Sequence, residues 1–410
     1  MYLRMRTMAT RFNPSCDPIA DGALSRRNFL RGASATLAAA AAVPLMTEPR
    51  LAWAASQAKK DDTAQPVKVL LDANENPLGP CPQALDAIAA LGALSGRYDF
   101  SASADLAKTI MLQEGLREDY LALYPGASEP LHYSVLAFTS PQHSLVCVNP
   151  TYEAPGMAAA AIQTPVRYVP LRKDYKYDMH AMATADPNAG CIYICNPNNP
   201  TGTTASRAEI LWLLQHKPRH AVVVVDEAYI HYSDAETVLD YAIDDRDLIV
   251  LRSFSKIYGM AGLRLGFAVG RPDLLAKLQR YGLNPLPLPG VAAAQASLQQ
   301  KDLVSTRKLA NKQLRDDTVA WLTKQGFVVI PSQANFFMVD VKQRGQDFAK
   351  AMEKKNIYVG RSWPVWPNLV RVTVGTADEM FLFEQAFADV MGVPAPEVPA
   401  PAASPAPTGA

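Results

Sequence analysis

Short apolar runs alternate with amphipathic stretches through most of the chain. Seven runs lie between residues 121 and 270: LALYPG (121–126), SLVCVNP (144–150), VRYVPL (166–171), CIYICNP (191–197), AVVVVDEAY (221–229), LIVLRSFS (248–255) and LRLGFAVG (263–270). Several are apolar at consecutive positions and rich in β-branched residues. A strand with one wet face alternates apolar and polar; a strand covered on both faces does not. Helical patterns fill the intervals, so these runs predict a seven-stranded, mostly parallel α/β sheet. A helical stretch over 291–325 follows. Then FVVI (327–330), NFFMVDV (335–341), IYV (357–359) and LVRVTVG (369–375) alternate with two helical segments, which predicts a smaller α+β domain. The organisation read from the pattern is an N-terminal segment, 68–97, joining the small domain, a large domain over 98–295 and the small domain over 296–391.

The two ends have a different texture. SRRNFLR (25–31) precedes a small-residue apolar segment from Gly32 to Met46, and Ala52-Trp53-Ala54 supplies an A-x-A-like site. A charged segment, a short apolar segment and small residues at a cleavage site make a signal peptide over 1–54. The paired Arg26 and Arg27 point to the twin-arginine export machinery and a periplasmic destination. The apolar run is too short and alanine-rich for a stable membrane span. Residues 55–67 read as a polar linker, and 392–410 as a disordered Pro/Ala-rich tail.

Charge and cysteine narrow the function classes. The formal net charge of +1 conceals a basic leader: residues 1–54 carry seven arginines and three acids, and the remainder holds 33 basic against 36 acidic groups. No basic block remains to bind nucleic acid. Cys81, Cys147, Cys191 and Cys195 lack metal-ligand spacing. Cys191 and Cys195 share a strand at about 13 Å separation, too far for a disulfide, and read as buried thiols. No metal is expected.

In an open α/β sheet, ligands gather at the carboxyl ends of the strands. Here CIYIC runs into NPNNPTG, AVVVV into DEAY, LIVLR into SFSK and LYPG into ASEP. Singly, each is a good turn, a helix cap or a solvated lysine. Together they place on one rim a lysine able to form an imine, an acid for a pyridine nitrogen, and donors for a phosphate. That is the inventory of a pyridoxal-phosphate site.

The body, from LDANENPLGP (71–80) to LVRVTVGT (369–376), resembles the fold-type I, class I/II pyridoxal-phosphate-dependent aminotransferases, and especially the histidinol-phosphate aminotransferase family. CNPNNPTG, VVVDEAY and SFSKIYGMAGLRLGF carry the resemblance in order and spacing. It implies the fold-type I transferase fold and a transaminase moving an amino group between an amino acid or related amine and a 2-oxo acid, with 2-oxoglutarate a candidate acceptor. Lys256 would be the Schiff-base lysine and proton carrier of a ping-pong cycle. Asp226 would face the pyridinium nitrogen, and Tyr229 and Asn199 the phenolic oxygen. Tyr152 would stack on the ring. Gly126, Ala127 and Ser128 would bring helix N–H groups to the phosphate, with Ser253, Ser255 and Arg264 completing the cup. Tyr98 resembles the tyrosine that reaches the neighbouring subunit's phosphate, which implies a homodimer. Arg371, Arg361 and Asn76 would bind substrate. Three departures lie on the substrate side: Leu78 after NENP, NPLPLPG at 284–290, and Gly360 before Arg361. They weigh against the family's name substrate. The rival readings are a lyase or decarboxylase on the same fold, and a catalytically inactive cofactor- or partner-binding protein.

Overall fold

The structure is a computed structural model that describes residues 68–282 and 284–397. The expected signal peptide over 1–54, the expected linker through residue 67 and the expected tail from residue 398 lie outside the described residues. The strands are β1 (Val69–Leu71), β2 (Leu121–Tyr124), β3 (Leu145–Asn149), β4 (Val166–Pro170), β5 (Cys191–Cys195), β6 (Val222–Asp226), β7 (Leu248–Ser253), β8 (Gly266–Gly270), β9 (Val329–Ile330), β10 (Phe336–Asp340), β11 (Ile357–Val359) and β12 (Leu369–Thr373).

β2 to β8 form one seven-stranded sheet in the order β2-β8-β7-β6-β5-β3-β4. β3 to β7 pair in parallel, whereas β8 runs antiparallel to both β7 and β2. Successive strand residues point to opposite faces, and here both faces are covered. Val146, Ile192, Ile194, Val223, Val225 and Val250 pack into one core; Cys147, Cys191, Tyr193, Val224, Ile249 and Leu251 pack into the other. The unbroken apolar runs follow from that burial. All four described cysteines are free, buried thiols.

A third core holds Val69, Leu71, Phe337, Val339, Phe348, Ile357, Val370, Phe383 and Phe387. It forms a smaller lobe, in which β10 pairs antiparallel with β12 and β9, and β1 pairs in parallel with β11. The N-terminal segment thus divides: β1 joins the smaller lobe, while Cys81 and Ala84, at the start of the helix Pro82–Leu91, pack into the sheet's core. Two details depart from the sequence reading. The helical stretch over 291–325 is two helices, Leu288–Leu298 and Leu303–Lys324. The interruption falls at Gln299-Gln300-Lys301-Asp302, four polar residues with no apolar position to hold one helical stripe through the segment. The second helix also bridges the lobes, with Leu303 in the sheet's core and Leu322 in the small one. No described helix is long and apolar enough to cross a membrane.

Candidate active site

The sheet register builds the site. β5, β6 and β7 are neighbours, Cys195 lies beside Asp226, and Asp226 beside Leu251. The segments after these strands therefore emerge together on one rim, around a cleft of about 320 Å³.

At one end of the cleft, β2 leads through Gly126 into the helix Ser128–Phe138. Gly126 has φ +93°, and a Cβ there would lie 2.4 Å from Arg264 Nη2. Both the backbone and the approaching guanidinium require glycine. The helix presents first-turn N–H groups that have no partner within the helix, at the positive end of its dipole. Arg264 Nη1 donates to Ala261 O at 2.9 Å and to Ser255 Oγ at 3.5 Å, and its guanidinium has no carboxylate partner among the described residues. Ser255 N donates to Ser253 Oγ at 3.0 Å, and both serines are buried. A helix N-terminus, two hydroxyls and an uncompensated guanidinium make an anion-binding cup.

Asp226 closes β6 and is buried without a cationic partner among the described residues. Its Oδ2 accepts from Tyr193 Oη and its Oδ1 from Ala228 N, each at 3.1 Å. Burial raises its pKa to about 6 against those hydrogen bonds. Lys256 follows β7 in the same cleft. Its Nζ donates to Ala73 O at 3.3 Å and lies 5.5 Å from the centre of the Tyr229 ring. Burial, and next the Arg371 charge, bring its pKa down to about 8; Glu75 and Asp226 pull the other way.

The smaller lobe contributes Arg371, on β12. Its Nη1 donates to Asn199 Oδ1 at 2.8 Å and its Nη2 to Asp72 O at 2.5 Å. Its Nε is buried without a hydrogen-bond partner. Tyr229 Oη accepts from Asn74 Nδ2 at 3.1 Å, and burial pushes the phenol's pKa up. Tyr152 lines the same cleft, half-buried.

Of the residues singled out from sequence, Ala127, Ser128, Tyr152, Asn199, Asp226, Tyr229, Ser253, Ser255, Lys256, Arg264 and Arg371 come together here, with Gly126 beneath Arg264. Three do not. Asn76 is turned away: its Nδ2 donates to Tyr232 Oη at 3.2 Å and to Ile257 O at 3.0 Å, and it lines a neighbouring crevice. Asn74 takes its place in the cleft. It adopts φ 54°, a left-handed turn that redirects the residues after it. Arg361 lies outside the cleft, paired with Glu153. Tyr98 is 78% exposed and stacks on Phe100 instead of entering its own chain's cleft. Sequence reasoning missed Tyr193 and Glu153. Tyr193 was findable, because it shares a strand face with Cys195, the residue paired with Asp226.

Comparison with known proteins follows the same outline. Residues 66–382 match the family model described as aminotransferase class I and II. Histidinol-phosphate aminotransferase 1 of Nitrosococcus oceani is 35% identical over 79% of this chain and 89% of its own length. The aromatic amino acid aminotransferase of Thermobifida fusca is 34% identical over 75% of this chain and 86% of its own. Among solved structures, histidinol-phosphate aminotransferase of Sinorhizobium meliloti, in complex with pyridoxal-5′-phosphate, superposes with a TM-score of 0.74. It covers 85% of this chain and 96% of its own at 24% identity, a likeness of fold.

Proposed function

The chain belongs to the class I and II aminotransferase family and is a pyridoxal-phosphate-dependent transaminase, and from that premise we propose that its amino donor and its 2-oxo acid acceptor bind in turn through a carboxylate held by Arg371. The cleft fits the cofactor on its own terms. Asp226 is a buried carboxylate with no cationic partner among the described residues, the complement of a protonated pyridine nitrogen. The cup at Ser128, Ser255 and Arg264 gathers a helix N-terminus, a hydroxyl and a guanidinium that has no carboxylate partner among the described residues, the complement of a phosphate. Lys256 is an amine of pKa about 8, partly neutral near neutral pH and so nucleophilic toward a carbonyl.

When bound, the cofactor supplies an electrophilic carbonyl and a ring that delocalises the electron pair left by the departing Cα proton. The chain's residues do the rest. Asp226 would hold the proton on the ring nitrogen. Tyr229 Oη and the Nδ2 of Asn199, whose Oδ1 already accepts from Arg371, would hold the phenolic oxygen. Tyr152 would lie against the ring. Lys256 Nζ takes the proton from the donor's Cα, and its depressed pKa keeps a usable fraction in the basic form. Arg371 anchors the carboxylate; its guanidinium lines the cleft and has no carboxylate partner among the described residues.

The observation that carries this reading is the single cleft shared by Lys256, Asp226, Arg264 and Arg371. Protein reconstituted with pyridoxal phosphate should develop the visible absorbance of a lysine-bound cofactor, and an amino donor should bleach it. Lys256→Ala should lower turnover by about 10²–10⁴-fold. Absence of bound cofactor, or an active alanine variant, would remove the proposal.

The working assembly is a homodimer and the working location is outside the cytoplasmic membrane. For the first, Leu94, Tyr98 and Phe100 expose a cluster of apolar side chains at 61%, 78% and 70%, the kind of surface a second copy covers. Sedimentation should give a two-chain mass that Phe100→Asp reduces to one; a monomeric native protein at micromolar concentration rules this out. For the second, the support is the Arg26-Arg27 leader.

A further inference from the structure

Glu153 directly follows Tyr152, whose side chain lines the cleft. Its Oε1 accepts from two donors: Arg361 Nη2, and Trp363 Nε1 at 2.7 Å. Glu153 precedes the helix Ala154–Ala161, which packs on the sheet. Arg361 and Trp363 follow β11 in the smaller lobe. The contact therefore joins the two lobes. The Arg361 guanidinium lies 5.0 Å from the centre of the Trp363 ring, and that of Arg371 lies 5.8 Å from the centre of the same ring. Both arginines also line one cavity of about 560 Å³ floored by Gly345, Ala349 and Val359, with Asp72 and Lys350 contributing one charge of each sign. Arg371 lines both this cavity and the cleft that holds Lys256, so a donor anchored at Arg371 whose side chain leaves the cleft on that side would meet Arg361.

Charge then decides which side chains fit. Unpaired, Arg361 would be a ready anchor for a second anion. Paired, it is already neutralised. An incoming phosphate or carboxylate must lie against Glu153 or displace it, and displacement also strips Trp363 Nε1 of its acceptor. A neutral side chain disturbs neither bond. We infer that Glu153 is a specificity-determining residue that masks Arg361 and biases the enzyme toward monocarboxylic amino donors with neutral side chains over phosphorylated or dicarboxylic ones. The inference rests on the transaminase reading and on Arg371 as the carboxylate anchor. The pair is partly exposed, with side-chain accessibilities of 61% and 39%. Its effect should accordingly be moderate, roughly fivefold in relative affinity.

The test uses cofactor-loaded protein and two unreactive carboxylates, hydrocinnamate and glutarate, titrated by calorimetry. Native protein should bind hydrocinnamate more tightly. Glu153→Gln should shift the affinity ratio about fivefold toward glutarate, Glu153→Ala should shift it in the same direction, and adding Arg361→Met should abolish the shift. A native preference for glutarate, binding of neither acid, an unchanged ratio in both Glu153 variants, or a shift that survives loss of Arg361 would each overturn the inference. Binding is read without turnover. A native protein that shows the expected ratios but converts no amino donor would sink the transaminase reading and leave the masking of Arg361 standing.

Discussion

Asp226 illustrates how a site residue is held against its own preference. A carboxylate in water ionises near 3.8, and burial at the end of β6 raises that to about 6. An acid with a raised folded-state pKa binds more protons folded than unfolded across that interval. Stability of cofactor-free protein therefore falls as pH rises from about 4 to about 6, and the full penalty persists above it. Asp226→Asn removes the charge and keeps the shape. Without cofactor, the variant should be more stable than the native chain by of order 2 kcal/mol at pH 7 and by little at pH 4, while its transaminase activity is lost. Chemical denaturation at the two pH values checks this; an equal effect at both would mean that the carboxylate's ionisation is not what costs stability. The cofactor's pyridinium would be the cation that Asp226 lacks, so cofactor binding should narrow the difference.

The strand ends carry most of the chemistry, and they were the most legible part of the sequence. β3 and β5 to β8 are buried almost throughout, and their short β-branched runs, bounded by turn residues, could be read directly; the edge strands β2 and β4 are only partly buried. Asp226, Ser253, Ser255 and Lys256 stand at or just after strand ends, where the chain itself fixes their rim position. What the sequence could not show depends on which distant surfaces meet. Asn74 and Asn76 are equivalent in composition, and only the left-handed turn at Asn74 decides which enters the cleft. Arg361 was plausible as a substrate anchor until its pairing with a carboxylate 208 positions away was known. The support beneath the rim was equally hidden. Arg252 donates from Nε to Glu227 Oε2 at 2.7 Å and from Nη2 to Thr237 Oγ1 at 2.9 Å, while Glu227 Oε1 accepts from Val238 N at 2.9 Å. Both charges are buried, so each needs the other. The network ties the end of β6 to the end of β7, next to Asp226 on one strand and Ser253 on the other. Only Arg252 lies in a strand, and the others follow β6 in positions that carry no motif of their own.

At the scale of the whole molecule, the cleft cannot exist before the fold does. Asn74 N donates to Thr373 Oγ1 across 299 positions, and Asn335 Nδ2 donates to Asn74 O across 261. The cofactor cup, the lysine and the carboxylate anchor come from segments spread over the same span. An unfolded chain has no cup to bind phosphate and no buried Asp226 to hold a pyridinium. A chain threaded unfolded through a membrane would therefore have to find its cofactor on the far side. The proposed twin-arginine leader avoids this, since that route carries folded cargo, and it makes the cytoplasm the place of loading. Arg26→Lys with Arg27→Lys should leave the enzyme folded, cofactor-loaded and confined to the cytoplasm, whereas the native chain should be recovered from the periplasm with cofactor already bound. Cell fractionation with immunodetection locates the protein, and cofactor absorbance of each purified fraction reports loading. A native distribution unchanged by the double substitution would remove the export proposal, and cofactor-free native protein outside would remove the order of events. The two failures are separable, because the first concerns the arginine pair and the second the dependence of the cup on a completed fold.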